Sequence, residues 1–244
     1  MEQMKHPNNP QITVIIPVFN EEAIIQNTLK QFKNYFDIEV LVVDGKSTDR
    51  TKEIVTQFSL NNKQIHLITS SKLSRATQMN YGAELATGDI LLFLHADTIL
   101  PNNFQLLIQY ILQKKNIILG AFKLVINGQK KSLRLVEKMV NLRSRWLSLP
   151  YGDQGFFITK DNFNRLGGFT DLPIMEDFNF VQRAKRQGEI AIANAAVITS
   201  ARRWQKLGVI RTTIINQLII IGYYLKIHPD KLRAFYRSFN TKNT

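Results

Sequence analysis

The sequence predicts an α/β fold built on a mixed, mostly parallel sheet flanked by helices. Three observations predict it. Short apolar runs rich in β-branched residues recur at Ile12–Ile16, Val40–Val43, Ile65–Thr69 and Ile90–Leu94, as in strands buried on both faces. Segments with helical spacing separate these runs, and strand–helix alternation is the pattern of a parallel sheet. Three of the runs lead into polar groups: Asn20-Glu21, Asp44 and His95-Ala96-Asp97. Right-handed crossovers bring such strand ends to one edge, where open α/β sheets bind ligands.

The chain has 244 residues, enough for one large or two small domains. A leader, 1–11, precedes a domain over 12–204. That domain divides into a first half, 12–98, and a second half, 99–204, and a helical extension, 205–244, follows. Hydrophobic residues make up 44%, which suits a globular core. With no cysteine, disulfide frameworks and thiolate zinc sites are excluded. The polar N-terminus has no signal-peptide core, so a cytoplasmic protein is expected. Lys and Arg number 32 against 19 Asp and Glu, a net charge of +13. The surplus favours an anionic partner. The cations are dispersed rather than gathered with aromatics, so nucleic acid ranks last.

Taken in order, Pro17 is expected to stop the first strand. Asn20 should cap a helix with Glu21 and Glu22 in its first turn, where the dipole favours acids. A second helix carries Ile54, Val55 and Phe58. A third runs from Ser74 to Ala86, with Gly88 as its C-cap. After the Ile90 strand, Pro101 opens a helix through Leu107 and Ile111. Gly120–Ile126 reads as a strand, Leu133–Leu147 as a helix, and Tyr151–Gly155 as a polar turn opening a strand. Gly167-Gly168 is a turn. Glu176-Asp177 opens a helix with Phe180, Val181 and Ala184, where paired acids also serve simply as dipole partners. Ile190–Ile198 is the last strand. Val209–Leu225 is too short and too polar to span a bilayer. Its Thr212, Thr213, Asn216, Gln217, Tyr223 and Tyr224 fall on one side of a helical wheel. Two readings stand: an amphipathic helix packed on the domain, or one lying on an anionic membrane surface.

The predicted edge gathers Asn20, Glu21, Asp44, Arg75, Gln78, His95 and Asp97. On an extended chain His95 and Asp97 point the same way, and a carboxylate beside an imidazole suits Mg²⁺ or Mn²⁺. No Walker sequence and no Gly-x-Gly-x-x-Gly follows a strand. A metal bridging a diphosphate is then the more natural device.

Five motifs in order now resemble glycosyltransferase family 2: Pro17-Val-Phe-Asn20-Glu21, Val43-Asp44-Gly-Lys-Ser47-Thr48-Asp49, Phe93-Leu-His95-Ala96-Asp97, Gly168-Phe169 and Glu176-Asp177. The resemblance covers roughly Gln11 to Trp204. Within the family, Arg75-Ala-x-Gln78, Gly152-Asp153-Gln154-Gly155 and Ser200-Ala-Arg202-Arg203-Trp204 are similar to one bacterial subgroup. It is labelled radical-SAM/selenodomain-associated or arsenosugar-biosynthesis glycosyltransferases. The resemblance implies the GT-A fold and an inverting enzyme that uses a nucleotide-diphospho sugar, with UDP-sugar favoured. It implies a nucleotide-sugar pocket of Pro17, Asn20, Glu21, Asp44, Arg75, Gln78, His95, Ala96 and Asp97. It also implies a nucleotide-binding half over 12–98 and an acceptor half over 99–204, Mn²⁺ or Mg²⁺ on Asp97, and Asp177 as general base beside Glu176; His95 is a second metal ligand on the residues alone, or a contact to sugar or phosphate. Asp153 and Gln154 are candidates for recognising an acceptor, small or lipid-linked. Arg202 and Arg203 would bond phosphate oxygens, and Trp204 would stack on a sugar or belong to the core.

This chain departs from the family at three places. His95 replaces the first Asp of Asp-x-Asp, Gly45 replaces an acid after Asp44, and Ser200 replaces the Gln of Gln-x-x-Arg-Trp. The last argues against a processive polymerase. The rival reading is a degenerate nucleotide-sugar-binding or membrane-associated scaffold. Retention of Asp44, Asp97 and Asp177 counts against it.

Overall fold

The computed structural model describes residues 11–239; the leader, apart from Gln11, and the last five residues lie outside it. Strand β1 (Ile12–Val18) pairs in parallel with β2 (Ile38–Asp44) on one side and β4 (Ile90–Phe93) on the other. β3 (Ile65–Thr69) lies outside β2. The sheet then turns antiparallel through β7 (Phe156–Thr159) to β6 (Ile117–Asn127). β6 runs parallel to β8 (Glu189–Ser200), whose end pairs with the two-residue β5 (Thr98–Ile99). The whole is one eight-stranded mixed sheet, ordered β3-β2-β1-β4-β7-β6-β8-β5.

Alternation along the strands builds two cores. Val14, Ile16, Val40, Val42 and Leu92 face helices α1 (Ile25–Lys30), α2 (Thr51–Leu60), α4 (Phe104–Leu112) and α5 (Lys131–Leu147). Ile15, Leu41, Val43, Leu91 and Phe93 face α3 (Arg75–Leu85), α6 (Lys160–Arg165) and α7 (Glu176–Lys185). This is the period-two side-chain pattern of a sheet covered on both faces. On the second face Phe169 packs 4.4 Å from Phe180 and 4.9 Å from Phe93, centroid to centroid. Such pairs add about 0.5–1.5 kcal/mol each beyond area burial.

β6 outruns β7, so the side of its second half that faces away from β8 has no strand partner. α5 supplies one with side chains. Asn141 Oδ1 accepts from Leu124 N–H at 2.8 Å, and its Nδ2 donates to Leu124 O at 2.9 Å. Glu137 accepts from Ile126 N–H, and Arg134 donates to Ile126 O. Gln154 continues the row by donating to Phe122 O at 2.8 Å. A helix stripe thus satisfies buried backbone groups that would otherwise be orphaned.

Four expectations are corrected. Pro17 does not end β1; it is paired in register with Val43 and the strand reaches Val18. Asn20 does not cap a helix: it sits at φ +54°, and α1 begins at Ile25 without a side-chain cap. Gly88 is not a left-handed C-cap. A Cβ there would stand 2.7 Å from Gln11 O and from Thr13 Oγ1, so glycine admits close approach to β1. The helix α9 (Val209–Tyr224) does not separate its faces as the wheel suggests. Thr212, Ile215, Ile219 and Gly222 are buried, while Ile210, Ile214, Leu218 and Ile221 are exposed.

Candidate active site

The loop after β1 and the loop after β2 are laced together. Asn20 Oδ1 accepts from Thr48 N–H at 2.9 Å, and Asn20 N–H donates to Ser47 Oγ at 3.0 Å. Glu21 N–H donates to Thr51 Oγ1 at 2.8 Å. Asp44 is fully buried and accepts from the backbone of Lys46 at 2.8 Å and Ser47 at 3.0 Å. It shapes this turn and offers no surface to a ligand. Gln78 is likewise buried, donating to Val18 O at 2.8 Å and Val43 O at 2.7 Å. It ties the ends of β1 and β2 rather than lining an open pocket. Sequence position placed both residues at the correct edge; their side chains turn into it.

Glu21, Asp97 and Arg202 form the charged centre. Arg202, which opens the helix α8 (Arg202–Leu207), bridges Glu21 Oε2 at 3.2 Å and Asp97 Oδ2 at 3.5 Å. Thr199 Oγ1 and Thr98 Oγ1 lie 3.4 and 3.5 Å from Asp97 Oδ1. Burial raises the Glu21 carboxyl above its ordinary range, against the pull of Arg202. Ala96 is buried, and its carbonyl accepts from Thr28 Oγ1.

β4 stops at Phe93, so the extended-chain rule does not carry through to His95 and Asp97, and their partners differ. His95 lines a small cavity of about 10 Å³ with Pro17, Arg75, Gly152 and Asp177. The residue keeps some surface, but its ring is enclosed; that burial, with Arg75, lowers its pKa to about 3, so the imidazole stays neutral. Among the described residues no three His, Cys, Asp or Glu side chains gather as a ready metal cluster. Asp97 therefore suits a cation held by one carboxylate plus substrate phosphates, the usual manner for Mg²⁺.

Asp177 stands opposite. Its Oδ2 accepts from Gly152 N–H at 2.9 Å and its Oδ1 from its neighbour Phe178 N–H at 2.7 Å. A Cβ on Gly152 would lie 3.2 Å from both Asp177 Oδ2 and His95 Nε2, so this glycine lets the two groups share one space. Met175, at φ +68°, turns the chain into α7. Glu176 is buried; its pKa is raised by that burial and by Asp177, and it lies 3.9 Å from Arg75.

The acceptor candidates divide. Asp153, in the 3-10 turn Gly152–Gln154, has an enclosed Oδ1 without a hydrogen-bond partner; burial raises its pKa to about 6. Gln154 is structural: besides its bond to Phe122 it accepts from Ser144 Oγ at 2.7 Å. Arg203 turns away from Arg202, donating to Asn216 at 3.1 Å and lying 4.5 Å from the ring centroid of Tyr236. Trp204 packs against the first core. The sequence reading missed Arg143, whose guanidinium lies 3.4 Å from the Tyr151 ring centroid, and Tyr236 of the helix α10 (Pro229–Ser238). Nothing in the sequence marks either; only the folded chain brings them here.

The mixed sheet is thus of the open α/β type that binds ligands outside the carboxyl ends of its strands, and here that edge carries Glu21, Asp97 and Arg202. Residues 13–170 match the family model "Glycosyl transferase family 2", and the chain belongs to that family. It is 26% identical over 206 residues to the probable glycosyltransferase YdaM of Bacillus subtilis (strain 168), covering 73% of this chain and 47% of that protein. The chain thus spans about half the length of that relative. Its fold is that of GT-A glycosyltransferases. The mannosyltransferase PcManGT of Pyrobaculum calidifontis, solved with GDP-Man and Mn²⁺, superposes with TM-score 0.64 at 18% identity, over 96% of this chain and 74% of that one. Residues 1–349 of TarS from S. aureus, solved with UDP-GlcNAc, superpose with TM-score 0.63 at 20% identity, over 78% and 58%.

Proposed function

We propose that the protein is an inverting glycosyltransferase that moves a sugar from a nucleotide-diphospho sugar to an acceptor hydroxyl. The observation that carries this reading is Asp177, a carboxylate fixed by two backbone N–H groups beside the cavity that His95, Arg75 and Gly152 line. Inversion requires the acceptor hydroxyl to lose its proton as it attacks the anomeric carbon. Asp177 takes that proton, a role worth about 10²–10⁴-fold. Pro17, Asn20 and Glu21 would line the nucleoside pocket, with buried Asp44 shaping the turn beside it. A UDP-sugar is the donor the family resemblance favours and a GDP-sugar the competitor; proteins of this fold were solved with UDP-GlcNAc and with GDP-Man.

Asp97 would hold Mn²⁺ or Mg²⁺, which when bound supplies Lewis-acid stabilisation to the departing diphosphate. Arg202 spans Glu21 and Asp97, and its guanidinium would bond diphosphate oxygens. Neutral His95 presents a hydrogen-bonding group, uncharged, toward the sugar. Asp153, whose enclosed Oδ1 has no hydrogen-bond partner, would recognise the acceptor. The test is release of nucleoside diphosphate from UDP- and GDP-sugars, with the anomeric configuration of the product followed by proton NMR. An inverted product supports the reading; a retained configuration overturns it.

A further inference from the structure

We propose that the outward faces of α5 and α9 form a docking surface for an anionic lipid bilayer. Leu135, Met139, Leu142 and Trp146 recur at spacings of four, three and four, one stripe on α5 opposite its buried side. All are exposed, Trp146 at 77%. α9 packs beside α5 and leaves its own stripe in solvent, led by Ile210 at 76%. Exposed apolar stripes on two neighbouring helices point to an interaction site rather than to singly scattered surface hydrophobics.

Charge selects the occupant. Lys131, Lys138 and Arg145 repeat every seven residues along the flank of the α5 stripe. From Thr98 to Gly152 the only acid is Glu137, and it is buried against β6. From Ile190 to Pro229 there is no acid. A second copy of this chain would set these cations against their like with nothing to neutralise them. An anionic bilayer answers both the apolar stripe and the basic flank. Beside the stripe, Lys123, Lys138, Arg145 and Trp146 line an open groove of about 640 Å³, suited to a phospholipid headgroup. The inference rests on the proposed transfer only for its purpose. Arg143 of α5 lies on Tyr151, and Tyr223 of α9 packs on Phe178 next to Asp177, so docking by these helices would present the acceptor side to lipid-anchored hydroxyls.

The test is co-sedimentation of the full chain with vesicles of phosphatidylcholine alone or mixed with phosphatidylglycerol. Binding to the anionic vesicles that weakens with added salt is expected. The double substitution Met139→Ser, Trp146→Ser should weaken it about tenfold or more, since both apolar side chains lose their burial in lipid, without lowering the thermal transition. No binding to anionic vesicles at low salt, or undiminished binding by the double variant, overturns the proposal. So does a concentration-dependent dimer, seen by light scattering, that the same variant abolishes. Nucleotide-induced thermal shifts are read in parallel. Nucleotide binding without vesicle binding removes this inference alone. Vesicle binding without any nucleotide response removes the glycosyltransferase reading alone.

Discussion

Replacing Asp177 by Asn separates chemistry from architecture. The carboxylate uses both oxygens as acceptors, toward Gly152 N–H at 2.9 Å and Phe178 N–H at 2.7 Å. An amide keeps one acceptor oxygen and points an NH₂ at the other donor. One charge-assisted bond is lost, worth about 1.5–3 kcal/mol, which at ~2–4 °C per kcal/mol lowers Tm by about 3–12 °C. Loss of the proposed general base should cut turnover by about 10²–10⁴-fold, equivalent to roughly 2.7–5.4 kcal/mol in the barrier. Nucleotide affinity should change little, because the hydrogen bonds of Asp177 run to Gly152 and Phe178 and not to the Asn20–Ser47 loops or Asp97. The assay is nucleoside-diphosphate release at saturating donor, beside a thermal melt. Wild-type turnover with a lowered Tm would refute the base assignment while leaving the contact account intact. An unchanged Tm would refute the contact account.

Three further outcomes are expected. Gln78→Leu removes two buried hydrogen bonds and should cost about 1–3 kcal/mol in urea denaturation, with the nucleotide site loosened as a consequence. Asp153 binds its proton more tightly folded, at about 6, than unfolded, near 3.8. Its contribution is therefore complete below pH ~3.8 and is lost as pH rises through 6, on the order of 3 kcal/mol in all. Asp153→Asn should flatten that fall in melts taken between pH 4 and 7. Gly152→Ala places a methyl 3.2 Å from Asp177 Oδ2 and His95 Nε2. The neighbours must give by a few tenths of an ångström, less than the ~1 Å misplacement that costs about 10²-fold, so a smaller fall is expected, mainly in kcat.

The four parallel strands were legible because each is a short β-branched run leading to a turn, and their ends did converge as crossover handedness requires. Side-chain direction was not legible. Asp44 and Gln78 stand at the right edge, yet the backbone of the next loop consumes the one and two strand ends the other. A sequence shows that a polar residue lies at a strand end, not whether it faces a ligand or a carbonyl. His95 and Asp97 lie past the end of β4 at Phe93, and they meet different partners, the cavity beside Asp177 for the one and Arg202 for the other. α9 misled for a related reason: Thr212 is buried and Asn216 bonds Arg203, so its polar side meets protein while much of its apolar side meets solvent. The service of Arg134, Glu137 and Asn141 to the bare edge of β6 has no sequence signal, since it depends on β7 ending early.

The most direct test is a thermal-shift comparison of wild type and Asp97→Ala with UDP and GDP, each with Mn²⁺, Mg²⁺ or EDTA. A nucleotide at 100 times its Kd adds ~2.7 kcal/mol, or about 5–11 °C here. The account predicts that one of the two nucleotides stabilises the wild type only with metal, and that Asp97→Ala abolishes the metal requirement or the response. Silence toward every nucleotide, or stabilisation indifferent to both EDTA and Asp97, would contradict it.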